Sequence, residues 1–184
     1  MAVPAIALLL YTSIDRRALA EQAVTQQAER LASLKALDQQ RLIEGTRQLL
    51  MAMSQSRDVR EGDRDACSAY MRRIVPHFEA GYTNVGVIDA HGTVTCSGFT
   101  AVSGSLADRE YFQRARATKQ FVVGEYVISR HTGKPSLPFA FPVLDDEGDV
   151  QQVVFAAVDL DPLNRRLGSA DWPAEATSIV TDRA

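Results

Sequence analysis

From Ser13 to Arg57 the chain has no proline, a single glycine (Gly45), and an abundance of Ala, Leu, Gln, Glu and Arg. These are strong helix formers, so the segment reads as one long helix or as two joined near Gly45. About 45 residues rising 1.5 Å each would extend roughly 65 Å, more than a compact domain of this size is wide. Leu31, Leu34, Leu42, Leu49 and Met53 fall roughly on one stripe, looser than a strict heptad seam. One side of the helix is therefore expected to pack on the rest of the chain, and its N-terminal half to pair with a second subunit.

Beyond Arg57 the chain is built from shorter pieces. Arg60-Glu-Gly-Asp-Arg64 is a break, and Asp63 is placed to cap a helix from about Asp65 to Phe78 that turns Cys67, Tyr70, Ile74 and Val75 inward. Gly81 ends it. Asn84–Asp89 and Thr93–Ser97 flank a turn at Ala90-His91-Gly92 and read as a hairpin. Asp108 is expected to cap a further helix reaching Thr118. Three strand-like runs come next, Phe121–Arg130, Pro135–Leu144 and Val150–Leu160, joined by links rich in turn formers that force antiparallel neighbours. The fold class is α+β: five antiparallel strands, helices packed on one side, and the long N-terminal helix. Pro135, Pro138 and Pro142 predict an edge position or bulges for the strand that holds them. Asp161 begins another short helix, and Ala176–Ala184 resembles the opening strand of something further.

Composition excludes several functions. The net charge of −3 is mild, and no basic stripe interleaves with aromatics, so a nucleic-acid surface is not expected. The apolar run Met1–Tyr11 is shorter than the roughly 20 residues a spanning helix needs, and it lacks a positive leader. It reads either as a buried N-terminal element or as the end of a membrane anchor. Arg16 and Arg17 behind it favour a cytoplasmic side. Two cysteines, Cys67 and Cys96, are too few for a disulfide framework. They pair in an oxidising compartment, where the loop they close would contribute roughly 3 kcal/mol, or stay as small buried residues in the cytosol.

Chemistry for transforming a substrate is missing from the motifs. There is no Gly-x-Ser-x-Gly elbow, phosphate-binding glycine loop or His-Glu-x-x-His. Asp145, Glu147 and Asp149 alternate as in a calcium loop, but the glycine is misplaced and no distal glutamate follows, so a solvated turn is the reading. His77, His91 and His131 are scattered, and neither a metal nor a cofactor is expected. Asp108-Arg109-Glu110-Tyr111-Phe112, followed by Gly124-Glu125-Tyr126, instead places one guanidinium and several aromatics at a helix start ahead of a sheet. Arg109 offers a planar fork of donors matched to a carboxylate, and Tyr111 and Tyr126 can cover apolar ligand atoms while donating from their hydroxyls. This is a site for gripping a small anion.

The order of Asp108-Arg109-Glu-Tyr111-Phe112-Gln-Arg-Ala115, Val123-Gly124-Glu-Tyr126, Thr132-Gly-Lys-Pro135, Phe141-Pro142-Val143 and Val158-Asp159-Leu160 resembles the Cache family, the PAS-like extracytoplasmic sensing modules of bacterial membrane receptors. The resemblance implies four parts: residues 1–11 as the remnant of a transmembrane helix, 12–60 as a stalk helix, 61–170 as a membrane-distal sensing module, and 171–184 as the start of a truncated proximal module. It implies a domain in the periplasm on an inner-membrane protein, a Cys67–Cys96 disulfide, a homodimer through the long helix, and an output domain elsewhere, such as a diguanylate cyclase or histidine kinase.

Amino-acid-binding members share an arginine followed by two aromatics, a strand tyrosine and a terminal aspartate. Arg109 matches the carboxylate-gripping arginine, Tyr126 the strand tyrosine and Asp159 the ammonium-pairing aspartate. Tyr111 and Phe112 depart from the usual tryptophan and tyrosine, and Phe112 removes a hydroxyl. Ser129 and Arg130 are further candidates to face the pocket. The expected partner is thus a small-molecule ligand, an amino acid or another small carboxylate. The alternatives are a ligand-free dimerisation module, its pocket filled by its own aromatics, and a soluble cytosolic PAS-like regulator.

Overall fold

The computed structural model describes residues 3–61, 63–77, 81–99, 104–130 and 132–161, with α1 side chains described from Thr25 onward apart from Lys35. The elements are α1 (Val3–Ser54), α2 (Arg57–Arg60), α3 (Arg64–Ile74), a 3-10 turn (Val75–His77), β1 (Tyr82–Asp89), β2 (Val94–Ser97), α4 (Glu110–Thr118), β3 (Val122–Val123), β4 (Val127–Ile128), β5 (Pro135–Leu144) and β6 (Val150–Asp159). The chain divides into two units, one formed by α1 as far as Arg41 and one that begins at Leu42 and carries the sheet. The expected helix after Asp161, the strand at Ala176–Ala184 and His131 lie outside the described residues, as do the side chains of Met1–Tyr11. Among the described residues, no helix is long and apolar enough to cross a membrane.

The 52 residues of α1 run through Gly45 without a break. In the first unit Leu34 and Leu37 of α1 are exposed. In the second, Leu49, Leu50 and Met53 are buried against the sheet. Asp63 caps α3 as its spacing requires, its carboxylate accepting from the amides of Asp65 and Ala66. The helix α3 is shorter than expected, because Val75–His77 tighten into the 3-10 turn.

Among the described residues the sheet has six strands in the order β2-β1-β6-β5-β3, with β4 also on β5, and every pairing is antiparallel. One more strand than expected arises because Phe121–Arg130 is broken in two. Both fragments pair with β5, Val122–Val123 against Ala140–Phe139 and Val127–Ile128 against Ser136–Pro135. The break lies opposite Pro138. The Gly124 amide donates to the Pro138 carbonyl at 2.8 Å, but that residue has no N–H to return, and the chain leaves the ladder until Val127. The proline-bearing strand β5 is interior rather than at an edge. Backbone polarity alternates along a strand, so the missing N–H of Pro138 and of Pro142 faces the short, broken flank, and the ladder to β6 keeps its register from Ser136 to Val143 and shifts once, between Val143 and Leu144, a bulge next to Pro142.

Helices cover both faces of the sheet, not one. The ends of α1 and α3 pack on Val85, Val87, Phe139, Val143, Val154, Ala156 and Val158. On the other face, Tyr111, Phe112 and Ala115 of α4 pack with Ile88, Val94, Ala140, Val153 and Phe155. The physical reason is in β5 and β6, whose apolar runs are nearly continuous and are buried on both sides. Cys67 and Cys96 form a disulfide that joins α3 to β2, with Cα atoms 6.0 Å apart.

Candidate functional site

The face covered by α4 changes character along its length. Where α4 lies, it is apolar. Towards the start of β1, buried polar side chains replace the apolar ones: Thr83, Asn84, Ser97 and Ser136. A shift of register between Tyr82 and Asn84 is the local cause, because a bulge breaks the strict alternation of side chains and turns Thr83 to this face beside Asn84. The hydroxyls of Thr83 and Ser136 lie 3.1 Å apart, each also close to a backbone carbonyl, of Ala157 and Lys134 respectively. Ser97 donates to the Asn84 side-chain carbonyl at 2.7 Å. Pairing register sets Val127, Ser136 and Asp159 in one row across three strands, and residues directly opposite share a face.

At the side of this face opens a cavity of about 220 Å³, lined by Asp108, Arg109, Glu110, Tyr111, Glu125 and Val127. Its wall is the start of α4. Sequence reasoning gives the cap of that helix to Asp108, but the N-cap residue is Arg109, and no side chain caps it. Asp108 is engaged elsewhere. Its carboxylate receives both terminal nitrogens of Arg130, one at 3.0 Å, and this pairing holds the carboxyl below its usual range and raises the guanidinium. Arg130 also donates to the Ser105 carbonyl. With Asp108 taken by Arg130, the Arg109 side chain makes no hydrogen bond or ion pair among the described residues, and it is half-buried at the cavity.

Tyr111 is both core and wall. It is buried with Phe112 in the apolar cluster under α4, yet it lines the cavity. Burial pushes its phenol up to about 12, with Arg109 and Arg130 pulling it down and Asp108 pushing it up, so all three charges lie within electrostatic reach of the ring. Close approach of α4 to the sheet depends on Gly124, where a Cβ would come within 2.8 Å of Tyr111 Cβ and 2.9 Å of Pro138 Cγ. Phe112 is fully enclosed and carries Arg116 over its ring at 5.5 Å.

The remaining residues singled out from sequence are spread more widely. Tyr126 is 59% exposed. Ser129 belongs to the β4–β5 turn, where its backbone amide donates to Lys134 and its hydroxyl accepts from Thr132. Asp159 sits at the end of β6 with its side chain 11% exposed, receiving Lys134 Nζ at 2.9 Å and the Asp161 amide. The geometry therefore brings Arg109 and Tyr111 to one cavity, sets Arg130 beside it, and holds Asp159 on a lysine. Sequence reasoning missed Glu110 and Glu125 as cavity residues. It also missed the buried polar group Thr83, Asn84, Ser97 and Ser136, whose signal was polar residues at inward positions of strands. Among the described residues, no group of His, Cys, Asp and Glu is placed to hold a metal ion.

Known proteins share this architecture. The domain of a sensory box/GGDEF family protein from Vibrio parahaemolyticus superposes with a TM-score of 0.67 at 15% identity over 82% of this chain. The sensor domain of the V. cholerae histidine kinase DctB gives 0.65 at 14% identity over 79%. The ligand-binding domain of the Pseudomonas aeruginosa PAO1 amino acid chemoreceptor PctC, in complex with GABA, gives 0.59 at 21% identity over 75%. This chain spans between 59% and 65% of each of those three structures. Sporulation kinase D of Bacillus subtilis (strain 168) is 34% identical over 86 residues, which are 46% of this chain and 17% of the kinase. The sequence model of the Cache domain matches residues 16–180. With that match across most of its length and the shared fold, the chain belongs to the Cache domain family and is a sensor domain.

Proposed function

We propose that this chain is the extracytoplasmic, ligand-sensing part of a bacterial membrane receptor, and that it binds a small carboxylate or amino acid on Arg109. One observation carries the reading: a guanidinium without a partner among the described residues, held at the start of α4 beside Tyr111, on a cavity of about 220 Å³. An ion left half-buried and unpaired is costly, and a carboxylate arriving on its planar fork of donors offsets that cost with two charge-assisted hydrogen bonds. The cavity suits a molecule of a few carbons. The crystallised PctC domain holds GABA, a molecule of this size and chemistry. Of the residues named from sequence, Tyr111 lines the ligand, Arg130 fixes Asp108 away from Arg109, and Tyr126, Ser129 and Asp159 are placed around rather than within the cavity.

Signal transfer follows from the packing of the sheet. Tyr82, next to the bulge that presents Thr83 and Asn84, reaches α1 through its hydroxyl, 3.2 Å from the Thr46 hydroxyl. A ligand that binds one arrangement of the sheet better than another shifts that contact by its differential affinity. In this reading residues 12–60 form the stalk, residues 61–170 the sensing module, and exposed Leu34 and Leu37 of α1 the contact with a second copy. Membrane attachment through flanking helices and an output domain beyond the chain complete the receptor.

The test is a thermal-shift screen of the purified protein against amino acids, short carboxylates and amines. A ligand present at 100 times its Kd adds about 2.7 kcal/mol to folding stability and raises the melting temperature by several degrees. The expected hits all contain a carboxylate. A folded protein that no carboxylate stabilises would move the reading to a ligand-free dimerisation module.

A further inference from the structure

Arg109 stands between two acids in the chain, Asp108 and Glu110, and pairs with neither. Each acid is held by a different arginine. Asp108 receives Arg130 from the β4–β5 turn on both carboxylate oxygens, one bond measuring 3.0 Å, and Glu110 receives Arg114 one turn further along α4. The first pair joins residues 22 apart in sequence, and the second is an i,i+4 pair within one helix. Both take a carboxylate away from the same guanidinium. Asp108 is within electrostatic reach of Arg109: hydrogen bonds from Arg130 do most to hold its carboxyl below the usual range, and the charge of Arg109 adds to that pull. Glu110 follows Arg109 directly and lines the same cavity. Glu125, the third acid of the wall, comes from the break between β3 and β4 and is exposed.

We infer that Arg114 and Arg130 are positioning residues for the carboxylate site, occupying Glu110 and Asp108 so that the Arg109 guanidinium stays open to a ligand. This rests on the proposal that Arg109 takes the carboxylate. An acid released from its arginine becomes an intramolecular competitor, tethered to the next residue and held at a fixed, high effective concentration. The competition is modest in size. The side chains of the two pairs are 38–58% exposed, and an ion pair in such surroundings shifts an equilibrium only a few-fold. Neither arginine needs to touch the ligand to act in this way.

The experiment reads Arg109 in two ways. One is calorimetric titration with L-alanine, 4-aminobutyrate and butyrate; the other is the rate at which phenylglyoxal modifies Arg109, followed by peptide mass spectrometry. Both are run on the parent, on Arg130→Gln and Arg114→Gln, on the paired variants Asp108→Asn/Arg130→Gln and Glu110→Gln/Arg114→Gln, and on Arg116→Gln. Circular dichroism confirms that each is folded. Arg130→Gln and Arg114→Gln are each expected to weaken the probes that bind the parent by about 2- to 5-fold and to slow the labelling of Arg109 by a similar factor. Removing the released acid as well restores both readouts to the parent's values. A merely structural role for Arg130, which also donates to the Ser105 carbonyl, would leave its paired variant as weak as the single one. Arg116 lies over the Phe112 ring and pairs with no acid among the described residues, so Arg116→Gln removes a charge from α4 without releasing a carboxylate and should change neither readout. Losses that persist in the paired variants, an equal loss in Arg116→Gln, or single variants indistinguishable from the parent overturn the inference and leave the carboxylate site standing. If none of the three probes binds the folded parent, the carboxylate reading fails, and the labelling rates alone decide whether the two arginines keep Arg109 unpaired.

Discussion

Tyr111 shows how a single residue belongs to the core and to the cavity wall at once. Its ring helps hold α4 on the sheet, while its hydroxyl belongs to a region shared by Arg109, Arg130 and Asp108. A phenol raised from about 10 in the unfolded chain to about 12 in the fold is neutral at ordinary pH. Its contribution is fully present below pH 10 and is lost as pH rises towards 12, where the fold has to bury a phenolate or release the ring. The linkage amounts to about 2–3 kcal/mol. Alkaline unfolding followed by tyrosinate absorbance should show stability falling across that window, and Tyr111→Phe should remove most of the fall. An identical alkaline loss in the variant would place its origin elsewhere. Gly124 is constrained by the same contact. Gly124→Ala forces its Cβ against Tyr111 and Pro138 and is expected to cost about 1–3 kcal/mol in urea unfolding.

Among the elements, α3 owes its position to two devices of different strength. The Asp63 carboxylate satisfies two amides at the first turn, and Asp63→Ala should cost about 1 kcal/mol. The Cys67–Cys96 bond, between residues 29 apart in sequence, restricts the unfolded chain, and its loss in a paired Cys→Ala variant should cost about 2–4 kcal/mol in denaturant unfolding. Equal midpoints with and without the bond would count against that role. Elements such as α3, the β1–β2 hairpin and α4 were legible because caps, turn formers and apolar periodicity are local signals. The split of Phe121–Arg130 was not, because its cause is a proline in another strand, met only after pairing. The second helical layer was hidden for a related reason. A continuous run such as Val153–Val158 announces burial on two faces, but what covers each face depends on where α4 returns in space. The site follows the same rule. Arg109 and Tyr111 were readable from one helix start, whereas Glu125 joins them through a strand break, and Asp159 is captured by a lysine one strand away.

At the scale of the whole molecule, a sheet covered on both faces separates two surroundings. The α4 face carries the cavity and the buried polar group. The opposite face meets the end of α1, to which Tyr82 and Thr46 connect it. The central claim is that a carboxylate binds on Arg109. Arg109→Ala removes the guanidinium from a position where it caps nothing and pairs with nothing among the described residues, so its stability should stay within about 0.5 kcal/mol of the parent. The most direct measurement is calorimetric titration of a carboxylate found in the thermal-shift screen, on the parent and on folded Arg109→Ala side by side. The account predicts a loss of at least about 100-fold in affinity, as expected for a bidentate charge-assisted pair. An unchanged Kd in a folded Arg109→Ala protein would contradict it.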